Sequence, residues 1–250
     1  MIRKNRPIPG HTAKLLIFDL DGTLIDSRED LANSINAMLI HFGKKELPHE
    51  VIASYIGDGA PMLVRRALGD PDDESFVQDA MLYFLAWYRE HKLDNTYVYD
   101  GVKEALNAIQ KSRDGAFAQG TQSLKMAVLS NKPVGPTRAI VEALGLSPYF
   151  FQIYGGNSFH TKKPDPTGVQ ALLEESGATP GETIIIGDSD IDILTARNSG
   201  IYSVGVTYGL APHTLEDAPP DVLIDKPHEL ALVLGSREQC RLEFKPTSLA

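Results

Sequence analysis

The 250 residues are 42% hydrophobic and 23% charged, a balance ordinary for a folded globular chain that disfavours both a disordered protein and a membrane-spanning one. This length buries a substantial core and fits one large domain or one domain carrying a smaller insertion. The net charge of −9 counts against general nucleic-acid binding, because phosphate backbones are held largely by Lys and Arg, while a metal ion and a few local cations suffice for a small phosphorylated ligand.

The segment Met1 to Pro7 is basic, with no apolar stretch or small-residue cleavage site after it, so no secretory signal is expected. No run approaches the roughly 18–20 apolar residues that span a bilayer, and a cytoplasmic location without a membrane partner is the expectation. Beyond a tail over residues 1–13, Leu15-Leu16-Ile17-Phe18 is an unbroken apolar run, which predicts a strand buried on both faces of a parallel sheet. It ends at Asp19-Leu20-Asp21-Gly22-Thr23. Ser27 followed by Asp30 reads as a capping box opening a helix, with Leu31, Ile35, Met38 and Leu39 at helical spacing. Pro48, Gly57-Asp58-Gly59 and Leu68-Gly69-Asp70-Pro71 then divide the chain into about four helical pieces, Phe76 to Glu90 among them. Asn95 to Gly101 reads as a linker, Val102 to Ser112 as a helix, and Arg113 to Ser123 as an exposed loop.

From Met126 the pattern alternates. Strands are expected over Met126 to Ser130, Phe151 to Tyr154, Thr183 to Gly187, Tyr202 to Val206 and Val222 to Ile224. Helices are expected over Pro136 to Leu144, Pro166 to Ser176 and near Ile191 to Ser199. This order predicts an α/β fold: a doubly wound parallel sheet with a Rossmann-like core and an inserted helical domain. Residues 14–25 and 98–235 would form the core, 26–97 the insertion, and 1–13 and 236–250 the tails. The single cysteine, Cys240, excludes an internal disulfide or a cysteine metal cluster and is expected to be an exposed thiol.

Three apolar runs end in reactive polar residues: Asp19 and Asp21, Ser130-Asn131-Lys132, and Asp188. In parallel sheets ligands sit outside the carboxyl ends of the strands, so these side chains are expected to converge. A carboxylate such as Asp19 can accept a phosphoryl group, splitting one displacement into two easier ones. The neighbouring Asp21 can protonate the leaving oxygen and later activate water. Thr23 can fix the loop by hydrogen bonding. Mg²⁺ takes oxygen ligands, and Asp19, the backbone carbonyl of Asp21 and Asp188 form a minimal set. Asp192 would orient a cationic side chain beside it. Ser130 and the Asn131 amide would donate to phosphate oxygens, and Lys163, followed by a rigid Pro-x-Pro turn, would neutralise developing charge.

These motifs resemble the haloacid dehalogenase superfamily of hydrolases. Phe18 to Leu24 matches its first motif, Ser130 the second, Lys163-Pro164-Asp165-Pro166 the third, and Gly187 to Asp192 the fourth. The resemblance covers roughly Lys14 to Leu234 and implies that the insertion is a helical cap closing over small substrates. Closer similarity is to the phosphoglycolate phosphatase subfamily, through Ser130 to Pro133, Ile56 to Gly59 with Leu63 to Leu68, and Val206 to Gly209. The chain departs from it at Tyr99-Asp100-Gly101, where a Pro-Gly turn is usual. The resemblance implies a Mg²⁺-dependent phosphatase acting on a small phosphorylated metabolite, 2-phosphoglycolate first, as a monomer or homodimer.

Gly57 and Gly59 are either a plain helix-connecting turn or a substrate loop. Of Arg65 and Arg66, the family pattern favours Arg66 for a substrate carboxylate, which Arg binds bidentately. The scattered histidines offer no zinc site. Tyr83, Phe84, Trp87 and Tyr88 read as core of the helical insertion. Lys162 and Asp190 are expected at the surface. Alternatives to the phosphatase are a sugar-phosphate phosphatase or phosphomutase, in which the aspartyl phosphate returns to substrate, a dehalogenase, in which Asp21 has no task, and a noncatalytic phosphate-sensing or interaction module.

Overall fold

The computed structural model describes residues 2–114 and 124–234. Cys240, the segment 236–250 and most of the loop expected over Arg113 to Ser123 lie outside them. In chain order the strands are β1 (Arg3–Lys4), β2 (Leu15–Phe18), β3 (Ile25–Asp26), β4 (Tyr97–Val98), β5 (Lys125–Leu129), β6 (Gln152–Tyr154), β7 (Thr183–Gly187), β8 (Tyr202–Val206) and β9 (Val222–Ile224). The helices are α1 (Arg28–His41), α2 (His49–Ala53), α3 (Ala60–Ala67), α4 (Glu74–His91), α5 (Val102–Asp114), α6 (Val134–Ala143), α7 (Thr167–Ser176), α8 (Asp190–Ser199) and α9 (Glu229–Leu234).

The main sheet runs β1-β9-β8-β7-β2-β5-β6, parallel throughout except for β1, which is antiparallel to β9. The apolar runs are central because each is covered twice. On β2, Leu16 and Phe18 face one way and join Val128, Ile184, Ile186 and Val204 beneath α5, α6 and α9. Leu15 and Ile17 face the other way and join Ala127, Leu129 and Ile185 beneath Val169 and Leu172 of α7 and Ala196 of α8. Phe18 is fully buried, a contribution of about 1.5–3 kcal/mol for a side chain of this kind. With β5 on one side of β2 and β7 on the other, the winding reverses at β2, and the crevice opens at the end that carries Asp19.

Helices α1 to α4 leave and return through β3 and β4, a short antiparallel pair. They pack chiefly on one another, α1 against both α2 and α4, and α3 against α4. Their core includes Phe84 and Tyr88, while Trp87 at 38% exposure lies at the surface, so the aromatic run is only partly interior.

Four expectations need correction. The stretch read as a linker contains β4, a two-residue strand too short to show alternation. The segment 1–13 is not a free tail, because β1 joins the sheet edge and Arg6 pairs with Asp221 at 2.8 Å. The helix expected to end at Ser112 runs to Asp114. Ser27 and Asp30 form no capping box: the Ser27 hydroxyl donates to Asp21, and the Asp30 carboxylate accepts from the amides of Asn95 and Thr96, the Asn95 side chain and the Thr96 hydroxyl. Asp30 thereby fastens the start of α1 to the strand by which the chain returns to the sheet. Helix α9 was not expected; its Leu230 and Leu234 are buried.

Candidate active site

The carboxyl ends of β2, β5 and β7 deliver Asp19, Ser130 and Asp188 to one cavity of about 50 Å³, several times the roughly 10–15 Å³ that a single water needs. Asp21, Gly57, Gly59, Asn131 and Lys132 also line it. The opposite wall is apolar, with Leu31 of α1, Leu63 of α3, Phe84 and Leu85 of α4, and Ile56 before α3.

Lys163 lies between two carboxylates, its ammonium 2.9 Å from Asp19 Oδ1 and 2.6 Å from Asp192 Oδ1. Burial disfavours its charge, but Asp19 and Asp192 outweigh that and hold the amine above its ordinary value. The other oxygen of Asp192 accepts from the Ser189 amide and hydroxyl, a capping box that opens α8. Asp192 is fully buried and thus fixes Lys163 from beneath.

Asp19 is raised to about 6, by burial first, with Lys163 opposing and Asp192 and Asp21 adding repulsion. Asp188 goes further, to about 8, from burial and then from Asp192 and Asp19. Its partners are the backbone amides of Leu210 at 2.7 Å and Ala211 at 3.0 Å. Gly22, at φ +86°, brings the backbone against this carboxylate; a Cβ there would stand 2.2 Å from Asp188 Oδ2. Carboxylate oxygens of Asp19, Asp188 and Asp192 lie within 4.8 Å of one another. Two of these acids share Lys163, and among the described residues no cation pairs with the third, an arrangement that suits a hard divalent ion with oxygen ligands.

Asp21 is held by Lys132, whose ammonium is 2.9 Å from both carboxylate oxygens, and by Ser27. The same ammonium lies 4.9 Å from the centre of the Tyr88 ring. Burial opposes the Lys132 charge and Asp21 restores it, so the amine too is held above its ordinary value. The sequence pattern gives neither Lys132 nor Ser27 a task at the active site. For Lys132 the signal was its place directly after a strand end; for Ser27 the capping pattern masked it.

Ser130 is buried and accepts from the Lys132 amide, which leaves its O–H free to donate. The Asn131 side chain donates to the carbonyls of Gly57 and Lys163, tying the insertion to the third motif. Gly59, at φ +84°, permits this approach, since a Cβ would come 2.8 Å from the Asn131 carbonyl oxygen. Lys162 is exposed, and its amine donates to the Asp58 carbonyl. Asp190 is half-buried at the start of α8.

Four candidates do not line the cavity, and of these Lys163 is joined to it through Asp19, with Asp192 behind Lys163, while Thr23 and Arg66 are not brought to it. Thr23 is buried behind it, where its carbonyl accepts from the Tyr208 hydroxyl. Arg66 pairs with Asp58 at 2.6 Å and donates to the Tyr55 carbonyl, so its guanidinium is spent within the insertion and does not line the cavity. Arg65 pairs with Asp70 and Glu74.

A family model described as haloacid dehalogenase-like hydrolase matches residues 16–206. A phosphoglycolate phosphatase of Pseudomonas putida is 36% identical over 227 residues, 87% of this chain and 78% of that protein. One from Photobacterium profundum is 34% identical, covering 85% of this chain and 92% of the relative. A crystal structure of a predicted phosphoglycolate phosphatase from Haemophilus somnus superposes with a TM-score of 0.78 at 30% identity, covering 89% of this chain and 98% of that one. Among the described residues no helix is long and apolar enough to cross a membrane. The matched span takes in the three strand ends and the helices between the first two, and the chain belongs to the haloacid dehalogenase-like hydrolases.

Proposed function

We propose that this protein is a Mg²⁺-dependent phosphatase that hydrolyses a small phosphate monoester, 2-phosphoglycolate first, through an aspartyl phosphate on Asp19. The observation that carries this reading is the meeting of Asp19, Ser130 and Asp188 at one small cavity, with Lys163 against Asp19. Asp19 attacks phosphorus, and its carboxylate oxygen gains the phosphoryl group as the bond to the leaving oxygen breaks. Asp21 gives a proton to that oxygen and later takes one from the water that attacks phosphorus, as the bond between phosphorus and the Asp19 oxygen breaks and inorganic phosphate leaves. Ser130 Oγ, the Asn131 amide and Lys163 donate to the phosphoryl oxygens, where charge spreads in the transition state.

Asp19, the Asp21 carbonyl and Asp188 would hold Mg²⁺. When bound, the ion neutralises the phosphoryl group and the carboxylates around it. Asp192 orients Lys163. Residues 26–97 act as a cap whose apolar wall excludes water, with Gly57 and Gly59 in the loop that meets the substrate.

A panel of small phosphate esters, assayed for phosphate release with and without Mg²⁺, tests this. Release from 2-phosphoglycolate that disappears on chelation and returns with Mg²⁺ is the expected result. Isomerisation of a sugar phosphate with little release would make the protein a mutase instead.

A further inference from the structure

The cation that meets a carboxylate on the substrate is not where the sequence pattern suggests. Arg66, paired with Asp58, Arg65, paired with Asp70 and Glu74, and Lys163, paired with Asp19 and Asp192, do not line the cavity, whereas Lys132, paired with Asp21, does. Among the described residues lining the cavity, Lys132 alone carries a positive charge. It stands where the two walls meet, 2.9 Å from the Asp21 carboxylate on the core side and over the Tyr88 ring on the insertion side. The rest of the facing wall is Leu31, Ile56, Leu63, Phe84 and Leu85 with the turn residues Gly57, Gly59 and Ala60, and among the described residues it carries no other charged side chain. A carboxylate set against those apolar side chains without a partner loses hydration that nothing replaces.

The geometry points to Lys132 as the residue that selects substrates whose leaving group carries a carboxylate close to the ester oxygen. An ammonium has three donors, and here one carboxylate takes two directions while the Tyr88 π-face takes the remaining one. A substrate carboxylate can share the amine by displacing one oxygen of Asp21 or the contact with the ring. Because Asp21 must itself reach the leaving oxygen, a group held by the same ammonium lies within two or three bonds of that oxygen. An ester of a 2-hydroxy acid satisfies this; a longer chain would carry its charge past Lys132 into the apolar wall. This assignment rests on the phosphatase reading and adds to it the residue and the chemistry that set the substrate.

The test compares kcat/KM for 2-phosphoglycolate and for 2-hydroxyethyl phosphate, which differ in the charge of the leaving group, in wild type, Lys132→Met and Lys132→Arg. Lys132 also positions Asp21, so both esters will suffer in Lys132→Met, and the ratio between them is the readout. Wild type is expected to prefer the carboxylate ester by about 10- to 100-fold, Lys132→Met to lose most of that preference, and Lys132→Arg to keep much of it. If Lys132→Met fails to fold, Lys132→Gln reads the same ratio. Hydrolysis of both esters by wild type without preference, or a ratio unchanged in the uncharged variants, overturns the role of Lys132 and leaves the phosphatase standing. Release of phosphate from neither ester overturns both.

Discussion

The two walls of the cavity are built from opposite materials. The strand ends present Asp19, Asp21, Ser130 and Asp188, interlocked with Lys132 and Lys163, whereas the facing helices present Leu, Ile and Phe side chains. A charged network in a buried site has few acceptable geometries, because each ion needs its partner. An apolar wall tolerates many substitutions of similar volume. The chemistry is therefore tightly specified by one wall, and the other sets mainly shape, dryness and the limits on the leaving group.

Substitutions ordered by expected effect test that contrast. Lys163→Ala leaves Asp19 and Asp192 facing each other without a cation; turnover should fall by about 10³-fold or more, and stability by about 3–5 kcal/mol. Phosphate release and urea unfolding measure the two, and turnover within tenfold of wild type would make the network architectural only. Asp30→Ala strands the donors of Asn95 and Thr96 at the junction between the walls, and about 2–4 kcal/mol of stability should go with it in the same unfolding experiment.

Asp188 gives a prediction in pH. Its folded value of about 8 lies above the unfolded carboxylate range, so the contribution to stability is present at low pH and is lost as pH rises through about 8. Asp19, raised to about 6, adds the same sign at lower pH. Metal-free wild type should thus be less stable near pH 9 than near pH 6. Asp188→Asn should be the more stable protein at the higher pH, by about 1 kcal/mol or more. Thermal midpoints in chelator across this range decide it; a steeper alkaline loss in the variant would show that Asp188 is not the strained charge. The smallest effect belongs to the apolar wall. Leu85→Ala should raise KM about 2- to 10-fold and leave kcat nearly unchanged, and a collapse of kcat would dissolve the contrast between the walls.

The same contrast explains what could be read from the sequence. The runs at Leu15 to Phe18, Met126 to Leu129 and Thr183 to Gly187 are unbroken because both faces of those strands are covered, so strands, sheet order class and the residues that follow them were legible together. Strands β1, β3 and β4 are two residues each, too short to leave a pattern. Ser27 and Asp30 have the residue types and spacing of a cap, but Asp21 in the preceding turn claims Ser27, and Asn95 and Thr96, far along the chain, claim Asp30. Arg66 was a sound candidate for an anion until Asp58 met it, a pairing settled by the turn before α3 rather than by spacing on the helix. Lys132 was hidden for the converse reason: its importance comes from Asp21 and Tyr88, which lie far along the chain.

The proposed reaction requires that Asp19 becomes covalently phosphorylated during turnover. Acid quenching of wild type mixed with 2-phosphoglycolate and Mg²⁺, followed by peptide mass mapping, tests it most directly. A phosphoryl adduct is expected on the peptide that carries Asp19, lost in Asp19→Asn together with phosphate release. Turnover without such an adduct, and at an undiminished rate in Asp19→Asn, would contradict it.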